Sequence, residues 1–220
     1  DPGKYNHNQE LYSRLVNELE AQHPPITLTS EYAYFVEKDL VRLLIRLARY
    51  KFAARLIKPT DSVLEVGSGS GLGALFLGQH AKDVTGIEVK KSEIEEAGSI
   101  NRRENVTFIH GDLYELPVQK KFDVIVALDV VEHIPAAQAP HFFATVNKHM
   151  APEGVCIIGT PSVHSYPHQS ALSKASHEKC YDQSELVALM DEWYGRTIPF
   201  SMNDEIVHTG NPKMAWYYFV

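Results

Sequence analysis

From Val63 to Leu77 the chain reads Val-Leu-Glu-Val-Gly-Ser-Gly-Ser-Gly-Leu-Gly-Ala-Leu-Phe-Leu, a buried strand that runs into a glycine-rich turn and straight out into an apolar helix. Gly67, Gly69 and Gly71 suit a backbone that must turn sharply and pass close to a ligand. A Cβ at those points would collide with the ligand or forbid positive φ. The helix read from Gly71 to His80 points its free N–H groups and its positive dipole end at the same place. The segment therefore predicts a cradle for a nucleotide-type cofactor. Read from Gly69 to Ala74 it also satisfies the looser dinucleotide pattern Gly-x-Gly-x-x-Ala, so the glycines alone do not select the cofactor.

Acidic residues narrow the choice. Glu65 lies just before the first glycine, Glu88 ends the next strand (Val84 to Glu88), and Asp112 follows a third (Val106 to Gly111). A carboxylate at the carboxyl end of the second strand can accept hydrogen bonds from both hydroxyls of a ribose, a role that suits Glu88. A dinucleotide would bring the negative charges of a pyrophosphate to the turn. Adenosylmethionine instead brings a sulfonium, an ammonium and one carboxylate, and a lysine-free loop flanked by Glu65 suits it better. The missing Gly-Lys-Ser/Thr ending excludes a P-loop. The plainer alternative is that these acids only cap helices and solvate strand ends.

Four segments in order, Glu-Val-Gly-Ser-Gly-Ser-Gly, Gly-Ile-Glu-Val, His-Gly-Asp-Leu and Leu-Asp-Val-Val-Glu-His-Ile-Pro, resemble the class I S-adenosylmethionine-dependent methyltransferases. The nearest branch is that of quinone biosynthesis and small-molecule O-methylation. The resemblance covers about Asp61 to Pro161 well and the ends loosely. It implies adenosylmethionine as cofactor and S-adenosylhomocysteine as product, bound by Glu65, Gly67, Ser68, Gly69, Gly71, Glu88, Val89, Asp112, Leu113 and Leu128. Asp112 would meet the adenine amino group. The stretch Arg49 to Leu56 resembles the helix that precedes the glycine motif in many such enzymes, where an arginine can reach the cofactor's carboxylate; this assigns Arg49.

Apolar residues recur three and four apart from about Glu10 to Glu20 and from about Ser30 to Ile57, with His23-Pro24-Pro25 between them, which predicts amino-terminal helices lying over the ligand face. After Pro59 strands alternate with helices. Strands are expected near Ser62–Val66, Asp83–Glu88, Val106–His110, Phe122–Leu128, Gly154–Gly159, Gly195–Met202 and Met214–Val220. Helices are expected near Lys91–Ile100, Ala137–Met150 and Asp182–Trp193. Such alternation gives a doubly wound α/β fold with helices on both faces of a mostly parallel sheet. The resemblance implies seven strands in the order 3-2-1-4-5-7-6, the last antiparallel. Residues 1–58 read as a helical cap on a Rossmann-like unit, 59–220, within one domain.

Composition removes other classes. A formal charge of −7 argues against nucleic-acid binding through phosphates, whose footprint is basic. No apolar run approaches the roughly 20 residues of a membrane span. The first residues show neither the basic nor the apolar block of a secretory signal, and Cys156 and Cys180 supply no disulfide framework or zinc spacing. A reducing cytoplasm is the expected compartment.

In a doubly wound sheet, ligands bind where the strand order reverses, here just after the fourth strand. That segment is Leu128-Asp129-Val130-Val131-Glu132-His133-Ile134-Pro135. His133 is the candidate base for an acceptor hydroxyl, its ring oriented by Glu132 or Asp129. The resemblance adds a second role. Some quinone-biosynthetic and RNA-terminal relatives hold a divalent cation with an acid, a Glu-His pair and a distant histidine, which matches Asp129, Glu132, His133 and His177. A structural pair that only fixes the turn is the third reading. The resulting expectation is methyl transfer to a hydroxyl, with an amine second, on a small-molecule or sugar-like acceptor. The rivals are a non-catalytic adenosylmethionine-binding module and a metal-dependent RNA-terminal methyltransferase.

Overall fold

The computed structural model describes residues 2–117 and 120–220. The inner strands form because their apolar runs have no polar face to offer water. Every residue of β1 (Ser62–Val66) is buried, as are six of the seven in β4 (Phe122–Leu128). A strand covered on both sides reads this way. Beside them lie β2 (Asp83–Glu88), β3 (Val106–His110) and β5 (Met150–Pro161), and the pairings β3-β2-β1-β4-β5 are all parallel. The sheet closes with β6 (Phe200–Asn203), β7 (Ile206–His208) and β8 (Tyr217–Phe219), in the order β3-β2-β1-β4-β5-β8-β6-β7.

The expected order therefore holds from β3 through β6, and one strand is added. Asp204 adopts a left-handed φ of 49°, which lets Ile206–His208 fold back on β6 as an antiparallel edge strand. Aspartate is among the few residues that tolerate this conformation. The last strand is shorter than read because Pro212 opens a 3₁₀ turn through Met214, held by the Asn211 side chain accepting from the Lys213 amide at 3.0 Å.

Helices cover both faces. On one, α3 (Leu40–Ala54) and α4 (Leu72–Leu77) pack with Val63, Val84, Val126, Tyr217 and Phe219. On the other, α6 (Ala139–His149) and α8 (Gln183–Asp191) supply Phe142, Phe143, Val146, Leu186 and Met190 to a core with Leu64, Ile125 and Ile158. α5 (Lys91–Ile100) follows β2, and α7 (Ala171–Ser176) lies in the long connection after β5. α4 ends at Leu77 rather than His80, so the helix behind the glycine turn is short.

The helix expected over Ser30–Ile57 is two. Asp39 leaves helical geometry at φ −158° and its side chain accepts from the Arg42 amide at 3.0 Å, capping α3 and separating it from α2 (Ser30–Lys38). Capping competes with helix continuation wherever aspartate can reach the backbone. α2 is pinned to the sheet's ligand edge: Thr29 donates to Ser70 at 3.0 Å and the Ser30 hydroxyl to Glu96 at 2.6 Å. α1 (Pro2–Gln22) is exposed at every described side chain except Val16 and adds no residue to either core. No helix among the described residues is long and apolar enough to cross a membrane.

Candidate active site

The glycine turn takes its shape from positive φ angles of 70°, 51° and 91° at Gly67, Gly69 and Gly71. At Gly67 a Cβ would lie 2.7 Å from Val130 Cγ2, and at Gly71 it would lie 2.6 Å from Ala97 Cβ, so neither position has room for one. The Gly67 and Ser68 amides donate to the Ile87 carbonyl at 2.9 and 3.1 Å, tying the turn to the end of β2. There the Glu88 carboxylate accepts from the Gly69 amide at 3.1 Å and the Lys90 amide at 3.0 Å. After β3, Asp112 accepts from the Tyr114 amide at 3.0 Å. Both carboxylates are thus oriented by backbone and keep acceptor capacity for a ligand.

These groups open on one cavity of about 370 Å³. Gly67, Glu88, Val89, Asp112, Leu113 and His133 line it, with Tyr114, Gln138 and Phe142 as further walls. Those three walls carry no spacing signal and come together only in the folded chain. Ser68, Gly69, Gly71 and Leu128, expected at the cofactor, are not among the residues that line the cavity, and Ser68 and Leu128 are buried. Glu65 is 1% exposed, and neither of its carboxylate oxygens has a hydrogen-bond partner among the described residues. Burial pushes its carboxyl up to about 8, opposed by the Tyr50 hydroxyl and the Arg46 guanidinium. A buried carboxylate left short of partners fits a cationic ligand better than a pyrophosphate.

At the end of β4 the chain turns through Asp129, a non-glycine residue at φ 58°. Its amide donates to the Gly159 carbonyl at 2.9 Å. Its carboxylate accepts from Arg49 Nη1 at 2.8 and 2.6 Å. Arg49 and Asp129 thus pair with each other, and neither is among the residues that line the cavity.

The next turn buries Glu132 completely. Oε2 accepts from the Thr160 hydroxyl at 3.0 Å, while Oε1 has no partner among the described residues. Burial, then the Asp129 charge, push this carboxyl up to about 8. The Glu132 carbonyl accepts from the Glu178 and Lys179 amides at 2.8 and 3.1 Å, which brings the segment after α7 against the turn. His177 is carried in with it, its ring centroid 5.0 Å from that of His133. His133 Nδ1 lies 2.8 Å from the Ser176 carbonyl, so Nδ1 carries the proton and Nε2 is bare when the ring is neutral. The orienting group is that carbonyl, not Glu132 or Asp129, because the Glu132 carboxylate engages Thr160 and the Asp129 carboxylate engages Arg49.

One ligand atom each from Glu132, His133 and His177 lies within 4.8 Å of the others. Asp129 is not part of that set. His177 Nδ1 is buried without a partner among the described residues, and burial together with the neighbouring His133 lowers its pKa. An unpartnered carboxylate oxygen, a bare imidazole nitrogen and a second neutral imidazole fit a divalent cation, on the chemistry of the donors.

A family model described as a methyltransferase domain matches residues 32–198. Over 100 residues, 44% of this chain, the sequence is 34% identical to the ubiquinone biosynthesis O-methyltransferases of Rickettsia akari and Rickettsia conorii. The matched segment spans 39% and 34% of the length of those relatives, well under half. Among solved structures, the DhpI–S-adenosylhomocysteine complex superposes with a TM-score of 0.57 at 18% identity, covering 96% of this chain and 91% of that one. YcgJ from Bacillus subtilis superposes at 0.54 with 21% identity, covering 69% and 66%. The chain therefore belongs to the methyltransferase-domain family, with the class I S-adenosylmethionine-dependent fold.

Proposed function

We propose that this chain transfers a methyl group from adenosylmethionine to a hydroxyl oxygen of a small-molecule acceptor. The observation that carries the reading is the bare Nε2 of His133, which lines the same cavity as Glu88 and Asp112 while standing beside Glu132 and His177. The relatives named for ubiquinone biosynthesis O-methylation support oxygen as the acceptor atom.

The cofactor supplies a methyl carbon already activated by its sulfonium. Glu88 would hold the ribose and Asp112 the adenine, while Glu65 would release its proton and become a negative partner once the cationic end is bound, and Arg49 would meet the carboxylate. A hydroxyl must lose its proton as its oxygen is methylated. An amine attacks through a lone pair already free. A placed proton acceptor therefore argues for oxygen, and His133 Nε2 is that acceptor, fixed by its Nδ1–H donating to Ser176. The same Nε2 lone pair has one alternative use, as a ligand: Glu132, His133 and His177 would then hold a divalent cation, whose Lewis acidity would acidify a bound hydroxyl and leave its proton to solvent rather than to His133. Proximity and in-line alignment supply the rest.

The test is to incubate the protein with labelled adenosylmethionine and fractionated small-molecule extracts, and to identify the methylated product. An O-methylated small molecule is expected. Label found only in amines, only in RNA, or in nothing at all would contradict the reading.

A further inference from the structure

We propose that Tyr217, on the carboxyl-terminal strand β8, is a positioning residue that fixes the plane of the Arg49 guanidinium where it pairs with Asp129. The Arg49 Cζ lies 3.9 Å from the centroid of the Tyr217 ring. Both hydrogen bonds to Asp129 leave from a single nitrogen, Nη1, and Nε has no partner among the described residues. An ion pair made through one nitrogen lacks the two-pronged geometry that would set the plane of the guanidinium. The aromatic face removes that freedom. At 2% exposure the ring is nearly free of solvent, where a cation–π contact is strongest.

The ring is itself held. A Cβ on Gly159 would lie 2.5 Å from the Tyr217 hydroxyl and 2.9 Å from Cε1, so β5 gives up a side chain where the ring passes. Phe219 packs edge-on at 5.1 Å between centroids. Burial, reinforced by the Asp129 carboxylate, raises the phenol's pKa, so the ring stays neutral beside the cation. Arg49, Asp129 and Tyr217 come from α3, the β4 turn and β8, so the pair is aligned only when the last strand is in place.

The functional consequence rests on the reading that Arg49 meets the cofactor's carboxylate. S-adenosylhomocysteine affinity by calorimetry and unfolding free energy by denaturant are measured for the parent, Arg49→Gln, Tyr217→Phe, Tyr217→Leu and Arg49→Gln combined with Tyr217→Leu. Tyr217→Met, which keeps bulk without a π-face, is run beside the leucine variant and stands in for it if that variant does not fold. Tyr217→Phe is expected within about twofold of the parent, Tyr217→Leu about tenfold weaker, and the leucine change without effect once Arg49 is glutamine. Equal losses in both backgrounds, or a phenylalanine variant as weak as the leucine one, would overturn the proposal. If Arg49→Gln leaves affinity unchanged, the reading of Arg49 as a cofactor contact fails by itself. Unfolding then decides positioning: non-additive substitutions support it and additive ones overturn it.

Discussion

On the β1–β3 side of the cleft the carboxylates are held by amides of adjoining turns, whereas on the β4–β5 side the turn after β4 is held by groups from distant segments. Glu88 is steadied by the Gly69 and Lys90 amides and Asp112 by the Tyr114 amide, each partner close in sequence or on the adjoining turn. His133 depends on the Ser176 carbonyl, Glu132 on Thr160, and Asp129 on Arg49. A half built on turns is fixed once the sheet pairs. A half held by distant segments depends on the connection after β5 and on α3, so the acceptor chemistry proposed for it rests on the least local contacts.

The comparison predicts that damage on the two sides separates into affinity and turnover. The largest effect belongs to His133→Ala, expected to lower turnover by about 10²–10⁴-fold while S-adenosylhomocysteine affinity is kept. Loss of affinity in step with turnover would show that the halves are not separable. If Nε2 is instead a metal ligand, a chelator should abolish activity in the same assay, with magnesium, manganese or zinc restoring it, and His177→Ala should be nearly as damaging as His133→Ala. A chelator without effect would leave His133 acting as a base alone.

On the other side, Glu88→Ala should weaken cofactor binding by about 1.5–3 kcal/mol, the scale of hydrogen bonds to a charged group, with the fold intact. Asp112→Ala should act in the same direction but less. Unchanged calorimetric affinity for Glu88→Ala would place the ribose elsewhere. Gly71→Ala should cost about 1–3 kcal/mol of folding stability, because its φ of 91° and the closeness of Ala97 both exclude a Cβ. Denaturant curves matching the parent would contradict the turn geometry.

The remaining effect is a pH dependence of stability. Glu65, raised to about 8 in the folded chain, keeps a proton that the unfolded chain releases near the ordinary carboxylate value. Its contribution to stability is complete below that ordinary value and is lost as pH rises through about 8. Glu65→Gln should flatten this part of the stability–pH curve, and an unaltered slope would place the titration on another group.

Much of the first half is legible in the sequence because its determinants are local. Gly67, Gly69 and Gly71 announce a turn, and the apolar run after Ser62 announces a strand between two helical layers. Glu88 and Asp112 follow from their places at strand ends. The second half is only partly so. Asp129, Glu132 and His133 stand out as a cluster after the fourth strand, but which way each side chain turns depends on Thr160, Ser176 and Arg49, dozens of residues away. Tyr217 reads as one apolar residue of a terminal strand, and nothing in its neighbours signals the arginine over its ring. The break at Asp39 and the added strand at Ile206–His208 escape periodicity for a related reason: a single aspartate changes the backbone while the apolar pattern runs on.

The central claim is that this fold binds adenosylmethionine through the glycine turn and Glu88, and thermal unfolding with and without ligand tests it most directly. At about 100 times its dissociation constant a ligand adds about 2.7 kcal/mol, a readily measured rise in melting temperature. That rise is expected with adenosylmethionine and with S-adenosylhomocysteine, reduced by half or more in Glu88→Ala at the same ligand concentration, and absent with NAD. A rise with NAD and none with adenosylmethionine would contradict the claim.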